Sequence, residues 1–339
     1  MKLDQVSIVI VTYKGDQVLS NCLESLALTC GEEPQIVVVD NSPSKSTKNL
    51  VDKYSNATYV ESPGNPGFTG GNNRALPHCD RKYVLLLNND TIVRSRKSIE
   101  QLVLFMESHP QCGVAQGTII LPNTERLVIS GGCGSFLTPF GFQYARGFAV
   151  PLDTPGLNRE IQCFTITGAF MIFSRNLVAH ENASIGFLFH RHFWAYYEEV
   201  DFCHRVWLSG KEVWYVPTEP IEHLCGYTAG KFKRVEIMRQ YMRNSFFSLR
   251  VNLGLFARMT ILPTYYCVML VHALVHLLRK DKATFDADME IFRDIFRMRK
   301  EVCEARKRVT RCVSDWWIFR RTLRLPPVSY LTRAVSANA

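Results

Sequence analysis

The 11 cysteines include no Cys-x-x-Cys pair and no zinc-ligand spacing, so the chain carries no sequence sign of a zinc site or a redox dithiol. Their number is odd, and the expectation is mostly reduced, buried thiols in a cytosolic protein. The first strand-like run is followed by Thr12-Tyr13-Lys14-Gly15 rather than G-x-G-x-x-G, which argues against a nicotinamide enzyme. Without a Walker A sequence, an ATPase or P-loop kinase is disfavoured as well. No Ser or Cys nucleophile signature is present, and no RNA- or DNA-binding motif. No signal-peptide pattern opens the chain; a strand pattern starts at Val6. Internal repeats and low-complexity tracts are also missing.

What is present is a chain of 339 residues, 47% of them apolar, enough for one large core plus additions. The net charge of +9 is unevenly spread. Residues 1–230 carry 18 Lys/Arg against 22 Asp/Glu, whereas residues 231–339 carry 22 against 9. A mildly acidic body with a strongly basic tail points to an anionic partner for the tail, with simple solubility as the plain alternative.

The first 120 or so residues alternate strand and helix patterns. Strands are expected at Val6–Val11, Ile36–Val39, Thr58–Val60 and Tyr83–Leu87, and helices at Gln17–Leu28, Ser44–Tyr54 and Ile99–Met106. Such alternation predicts an α/β fold with a mostly parallel sheet and helices on both faces. Residues 120–165 are rich in glycine and aromatics, and are expected to form an irregular segment placed to cover an acceptor groove. A strand at Thr167–Ser174, a helix at Glu198–Leu208 and a strand at Val213–Val216 follow.

Acidic clusters close three of these stretches: Val39-Asp40-Asn41-Ser42, Leu87-Asn88-Asn89-Asp90 and Tyr197-Glu198-Glu199-Val200-Asp201. Ligands of an open α/β sheet bind outside the carboxyl ends of its strands, so a carboxylate-lined site suggests a metal-bound diphosphate and a carboxylate base. Asp40 is placed to accept hydrogen bonds from a ribose or a base edge, or else to cap a turn. Asp90 has the type and position of a Mg²⁺ ligand, with capping as the alternative. Gly64 to Asn73 places four glycines and three asparagines in ten residues, a loop suited to close backbone approach and to anion binding at a helix N-terminus. Carboxylates in the first turn after Tyr197 are kept ionised by the helix dipole, which suits a general base. At about 100° per residue, Glu198 and Asp201 are expected on one face and Glu199 on another. His223 is a candidate to complete the metal site, its nitrogen favouring Mn²⁺ slightly over Mg²⁺.

Taken in order, these pieces resemble the inverting glycosyltransferases of family 2, with the GT-A fold, and within them the bacterial rhamnosyltransferase-like group. The matching segments are Val9–Tyr13, Val38–Ser42, Asn65–Asn73, Leu87–Asp90, Thr167–Met171 and Phe193–Cys203, closed by His223 with Gly226. The resemblance spans about residues 6–230 and implies a catalytic domain over 1–230. It assigns Thr12, Tyr13 and Asp40 to the nucleoside, with Asn65, Gly67, Asn72, Asn89 and Gly168 also at the donor. Asp90, the last residue of a DxD-like motif, is assigned to a Mg²⁺ or Mn²⁺ ion, together with His223; Asn88 stands where many relatives have Asp. Glu199 stands where relatives have the Asp that acts as base, with Glu198 and Asp201 as the other candidates. The implied reaction moves a sugar from a nucleotide-diphosphate donor to a hydroxyl of a glycan or polyprenyl-linked glycan, in cell-wall or polysaccharide biosynthesis. L-rhamnose from dTDP-rhamnose ranks first; UDP-galactofuranose, UDP-glucose and UDP-GlcNAc are the alternatives.

Residues 231–339 read as a basic helical region that associates with membranes. Met259 to Leu278 is 20 residues without Asp, Glu, Lys or Arg, although Pro263, His272 and His276 argue against a span. Phe285, Met289, Phe292 and Phe296 recur at helical spacing beside Arg293, Arg297, Arg299 and Lys300, the pattern of a helix on an anionic surface. A helix packed on the catalytic domain is the alternative. Peripheral attachment at the cytoplasmic face of the membrane is therefore expected, with no nucleic-acid partner. The His272/His276 pair has no third ligand in sight and is read as structural. A nucleotidyltransferase is disfavoured by the missing basic phosphate loop. A non-catalytic anion-binding module would not need the acidic clusters.

Overall fold

The structure, a computed structural model, describes residues 3–122, 127–178, 185–224, 234–327 and 330. β1 (Val6–Thr12) and β2 (Gln35–Asp40) are branched apolar runs, buried almost end to end. Such runs suit strands covered on both faces. Between them lies α1 (Asp16–Cys30), and α2 (Lys45–Val51) leads to the edge strand β3 (Ala57–Glu61). The chain then crosses back through α3 (Gly67–Ala75) to β4 (Tyr83–Leu87), on the other side of β1. β5 (Thr91–Val93), α4 (Lys97–Ser108), β6 (Cys112–Gln116) and β7 (Ile119–Ile120) follow. A hairpin of β8 (Ser135–Leu137) and β9 (Gln143–Ala145) precedes β10 (Ile161–Gln162) and β11 (Phe170–Ser174). α5 (Glu198–Leu208), β12 (Glu212–Tyr215) and β13 (Ile221–His223) complete this part.

The main sheet has the order β10-β12-β6-β11-β4-β1-β2-β3. β4, β1, β2 and β3 are parallel; β11 runs antiparallel to both of its neighbours, β4 and β6. Alternation sends Val9, Val37 and Leu86 to one face and Ile8, Ile10, Val38 and Leu85 to the other. α5 covers the first face through Val200, Phe202, Val206 and Trp207. α1 and α4 cover the second through Leu19, Leu23, Leu26, Leu102 and Val103. Each of these buried side chains contributes about 1.5–3 kcal/mol of transfer free energy. The reversal of strand order at β1/β4 is the place where such sheets bind ligands. A small second sheet, β5-β13-β7, sets His223 opposite Thr91 and so beside Asp90.

Five helices follow: α6 (Arg234–Asn252), α7 (Leu255–Leu278), α8 (Lys282–Arg297), α9 (Arg299–Lys307) and α10 (Asp315–Thr322). Phe246, Leu249, Leu253, Ile261, Tyr265, Ile291 and Ile295 bring α6, α7 and α8 together around a core of their own. α6 also packs on α5.

The structure departs from three expectations. The strand expected from Thr167 starts only at Phe170, because Thr167-Gly168-Ala169 is taken up in a turn at the carboxyl end of β4. Residues 127–165 do not cover the cavity described below; the β8–β9 hairpin packs on α7, with the Phe142 and Tyr265 rings stacked at 4.5 Å. In α8, Phe285, Met289 and Phe292 are half-buried against neighbouring helices, and only Phe296 is fully outward. The helix expected to lie on a membrane is thus largely a packed one. Its place as the apolar surface is taken by α7, which carries Leu255, Phe256, Met259, Leu274 and Leu278 exposed.

Candidate functional site

A cavity of about 320 Å³ opens outside the carboxyl ends of β1 and β4. β1 delivers Thr12 and Tyr13 to its wall, and the end of β4 delivers Asn88, Asn89 and Asp90. Asn89 Nδ2 donates to Thr12 Oγ1 at 3.0 Å, tying the two strand ends together. His223 reaches the same wall from β13. Its Nε2 lies 3.1 Å from Asp90 Oδ1 and 3.1 Å from Asn88 Nδ2, and the Leu224 N–H donates to the Asp90 carbonyl at 3.0 Å. A carboxylate oxygen and an imidazole nitrogen thus converge at the cavity wall. One or two protein donors, with the other positions left to phosphate oxygens and water, is how Mg²⁺ is usually held, and a nitrogen donor extends the fit to Mn²⁺. The donor set fits a divalent cation on a diphosphate. Among the described residues no group of three or more His, Cys, Asp or Glu forms a self-sufficient metal site.

The opposite wall is built by a close approach. Gly67 opens α3 at φ +76°, and a Cβ there would lie 2.0 Å from the Trp194 carbonyl oxygen. Only glycine both adopts this φ readily and leaves room for that contact. Trp194 Nε1 donates to the Asn65 carbonyl at 2.9 Å, and the Thr69 N–H donates to the Trp194 carbonyl at 3.2 Å. The loop before α3 and the loop before α5 are thereby locked into one wall, with Asn65, Phe68 and Gly168 facing the cavity.

The base of α5 completes it. Tyr196 and Tyr197 both sit at positive φ, +68° and +75°. For bulky residues this conformation costs about 1–3 kcal/mol each and persists only when its surroundings enforce it. Asn244 on α6 supplies that hold, donating to the carbonyls of Ala195 and Tyr196 at 3.0 and 2.7 Å. Gln143 donates to the Tyr197 hydroxyl at 2.8 Å. The reversed backbone turns Glu198 and Glu199 together into the cavity. Burial, and then the charge of Glu199, drive the Glu198 carboxyl well above its ordinary range. Burial raises Glu199 from its ordinary 4.5 to about 7. Of the two, Glu199 is therefore the one that ionises near neutral pH.

Two polar atoms in the wall are buried without a protein partner: Glu198 Oε2 and Asn41 Oδ1. Buried polar atoms are normally satisfied, so such orphans point to a ligand. The sequence reading placed Asn41 in a cluster but gave it no role. It lines the cavity, and its Nδ2 donates to the Gly67 carbonyl at 2.9 Å. Phe68, Trp194 and Tyr196 were likewise assigned no role; the signal for Phe68 was its place in the glycine-rich loop, and that for Trp194 and Tyr196 the run of aromatics before the acidic pair.

Ten of the anticipated residues line this cavity: Thr12, Tyr13, Asn65, Gly67, Asn89, Asp90, Gly168, Glu198, Glu199 and His223. Three do not. Asp40 is fully buried, and its carboxylate accepts from Ser42 N and Oγ, Ser44 N and the Tyr59 hydroxyl. It is the turn cap, not an open acceptor. Asn72 donates to the Phe68 carbonyl at 2.8 Å inside α3. Asp201 turns away from Glu198, contrary to the expected shared face, because the strained turn before α5 presents Glu198 with Glu199. Its Oδ2 accepts from Arg205 Nε and its Oδ1 from Asn252 Nδ2, both at 2.8 Å. Burial would raise its carboxyl, but Arg205 outweighs that and holds it below the ordinary range. Gly226 lies outside the described residues.

A mostly parallel α/β sheet whose switch point opens on a cavity lined by Asp90, His223, Glu198 and Glu199 has the arrangement of a GT-A fold. The chain belongs to glycosyl transferase family 2, whose sequence model matches residues 7–179. It is similar to the low-salt glycan biosynthesis hexosyltransferase Agl10 of Haloferax volcanii, 28% identical over 211 residues, which are 60% of this chain and 62% of that one. The chain thus spans under two thirds of that relative's length. Its fold is similar to that of S. aureus TarS 1–349 in complex with UDP-GlcNAc, with a TM-score of 0.54, 16% identity, and coverage of 90% of this chain and 88% of that one. It is also similar to the mannosyltransferase PcManGT from Pyrobaculum calidifontis in complex with GDP-Man and Mn²⁺, with a TM-score of 0.53, 14% identity, and coverage of 85% and 73%.

Proposed function

We propose that the protein is an inverting, metal-dependent hexosyltransferase that moves a sugar from a nucleoside-diphosphate donor to a hydroxyl of a glycan or lipid-linked glycan. The observation that carries this reading is that Asp90 and His223, in contact at 3.1 Å, line one cavity together with Glu198 and Glu199. The family and the nucleotide-sugar complexes of the similar folds support it. Thr12, Tyr13 and Asn41 hold the nucleoside side, while Asn65, Gly67, Asn89 and Gly168 shape the sugar and diphosphate side. Asp90 and His223 hold Mg²⁺ or Mn²⁺, which when bound neutralises charge on the departing diphosphate. Glu199 takes the proton of the acceptor hydroxyl. That oxygen attacks the anomeric carbon from the face opposite the diphosphate, the bond to the nucleoside diphosphate breaks, and the configuration inverts. Glu198, whose burial favours its protonated form, is placed to donate a hydrogen bond to a sugar hydroxyl.

We place dTDP-rhamnose first among donors, on the resemblance of the motif set to the rhamnosyltransferase-like group. Residues 1–230 form the catalytic unit, and residues 231–339 a basic helical region that holds the enzyme peripherally at the cytoplasmic face of a membrane. The test is a donor screen with Mn²⁺ or Mg²⁺, reading release of nucleoside diphosphate and transfer to a glycan acceptor. Turnover of dTDP-rhamnose supports the full reading. Turnover of a UDP- or GDP-sugar instead keeps the class and replaces the donor. Release from no nucleotide sugar, with acceptor present, overturns it.

A further inference from the structure

A helix on the outside of a water-soluble protein keeps a charged or polar face toward solvent. α7 does not. Its buried stripe is Ala257, Ile261, Tyr265, Met269 and Ala273, every fourth residue, set against α6 and α8. Most of its outer face is apolar and open: Phe256 is 82% exposed, Met259 68%, Leu270 54%, Val271 61%, Leu274 53% and Leu278 74%. Thr260 and Thr264 are exposed among them, but their hydroxyls donate to carbonyls of the preceding turn. Arg258, the charged residue of the helix, is half-buried. His272 and His276 are turned to Asp288 and Asp281, at 2.9 and 3.0 Å. A predominantly apolar surface therefore runs along a helix of 24 residues, about 36 Å in length. It continues on Phe140, 48% exposed at the tip of the β8–β9 hairpin, whose Gly141 sits against Ile261 and Tyr265.

We infer that α7 lies flat in the headgroup region of an anionic bilayer, with this face inserted and its long axis along the membrane plane. Two observations choose the bilayer as occupant. Cations continue the patch at its C-terminal end and along the next helices: Arg279, Lys280 and Lys282 are exposed at the end of α7 and the start of α8, and Arg293, Arg297 and Lys300 are exposed near Phe296, itself 66% exposed, with Asp286 as an exposed acid among them. The region from residue 231 on has 22 Lys/Arg against 9 Asp/Glu. A basic flank beside an apolar face matches anionic headgroups over acyl chains; a self-interface would set these cations against their own copies. The helix is long enough to cross a membrane, but its buried side carries α6 and α8, joined by Arg239 to Glu290 and Asp294. A crossing would pull those charges into hydrocarbon, whereas a flat orientation leaves them in water. The hairpin that carries Phe140 also carries Gln143, bound to Tyr197 beside Glu198. The inserted face and the carboxylate pair thus belong to one block, which fixes the height of the cavity over the membrane.

The inference rests on the peripheral placement proposed above, not on the transfer chemistry. The test uses the full chain in flotation with phosphatidylglycerol/phosphatidylcholine vesicles and with phosphatidylcholine alone, at about 0.15 M salt. Wild type is expected to float with the anionic vesicles and be released by alkaline carbonate. Met259→Glu, Leu270→Glu and Leu274→Glu are each expected to weaken binding at least about tenfold, since each replaces an apolar side chain buried in the bilayer by a charged one. All three are solvent-facing, and an unchanged unfolding temperature verifies the fold of each variant. If wild type floats and all three variants float equally, α7 is not the inserted face, although the peripheral placement survives. Loss of flotation only on replacing Arg293 and Arg297 likewise overturns the inserted face. Retention in carbonate overturns the flat orientation in favour of a span. Wild type that floats with no vesicle but dimerises in light scattering, and is made monomeric by Leu270→Glu, overturns both and assigns the face to a second copy.

Discussion

Glu199 and Glu198 differ by one position but sit in different protonation regimes, and the difference is experimentally accessible. With Glu199 raised to about 7, the rate should rise with pH through neutrality and level off above it. Glu199→Gln should lower kcat by about 10²–10⁴-fold with donor affinity retained, whereas Glu198→Gln, which replaces a neutral group with a neutral one, should keep the acid limb where it is. Steady-state rates across pH 5–9 check both. The stability consequence has the opposite sign. The folded chain holds the Glu199 proton at pH values where the unfolded carboxyl, near 4.5, has lost it. Stability should therefore fall as pH rises from about 4.5 to about 7, and Glu199→Gln should flatten that slope in thermal unfolding. At this scale the sequence was legible where the residue's position at a strand end sets its place at the cavity, as for Thr12, Asn89 and Asp90. At Asp40 the local Asp-Asn-Ser pattern offered both an open acceptor and a turn cap, and Ser42 and Ser44 settle it as the cap; at Asp201 and Asp40 the remaining partners are Asn252 on a distant helix and Tyr59 on another strand. No local pattern announces such partners.

Elements that hold the carboxylates matter as much as the carboxylates. Asn244 bonds two carbonyls in the strained turn before α5. Asn244→Ala should reduce kcat at least about tenfold through misplacement of Glu199, with a smaller effect on the donor KM, and should cost only about 1–3 kcal/mol of stability. The buried Asp201–Arg205 pair is different in kind: both side chains are almost wholly inaccessible, and Arg205 also donates to the carbonyls of Phe187 and Leu188. Arg205→Met leaves an unpaired carboxylate in the core, and a loss of about 3–5 kcal/mol is expected in denaturant unfolding. The long buried strands and the helix from Glu198 were readable from periodicity, because burial on both faces leaves an apolar run. The sheet of β5, β13 and β7 was not, since strands of two or three residues carry no period. Yet that sheet is what brings His223 to Asp90.

Across the whole molecule, the basic helices are a structural support of the site and not a detachable tail. Phe247 on α6 packs with Phe193, and Asp201 depends on Asn252. Removal of residues 234–339 should therefore expose that apolar cluster and abolish cooperative unfolding, as followed by calorimetry. The charge imbalance was visible in composition alone. What composition could not show is which helix turns outward: α8 packs on α6 and α7 through Ile291, Ile295 and Phe292, while the predominantly apolar α7 keeps much of its apolar surface outward. A buried core helix and a surface-inserted one have the same composition, and only the neighbours distinguish them.

The most direct test of the central claim, a metal-bound nucleotide sugar held by Asp90 and His223 opposite Glu199, is thermal unfolding of wild type and Asp90→Ala with nucleotide sugars, with and without Mn²⁺. The account predicts that one nucleotide sugar stabilises wild type only when Mn²⁺ is present, and that Asp90→Ala, folded to the same extent, loses the stabilisation. Equal stabilisation of the variant, or stabilisation of wild type that ignores Mn²⁺, would contradict it.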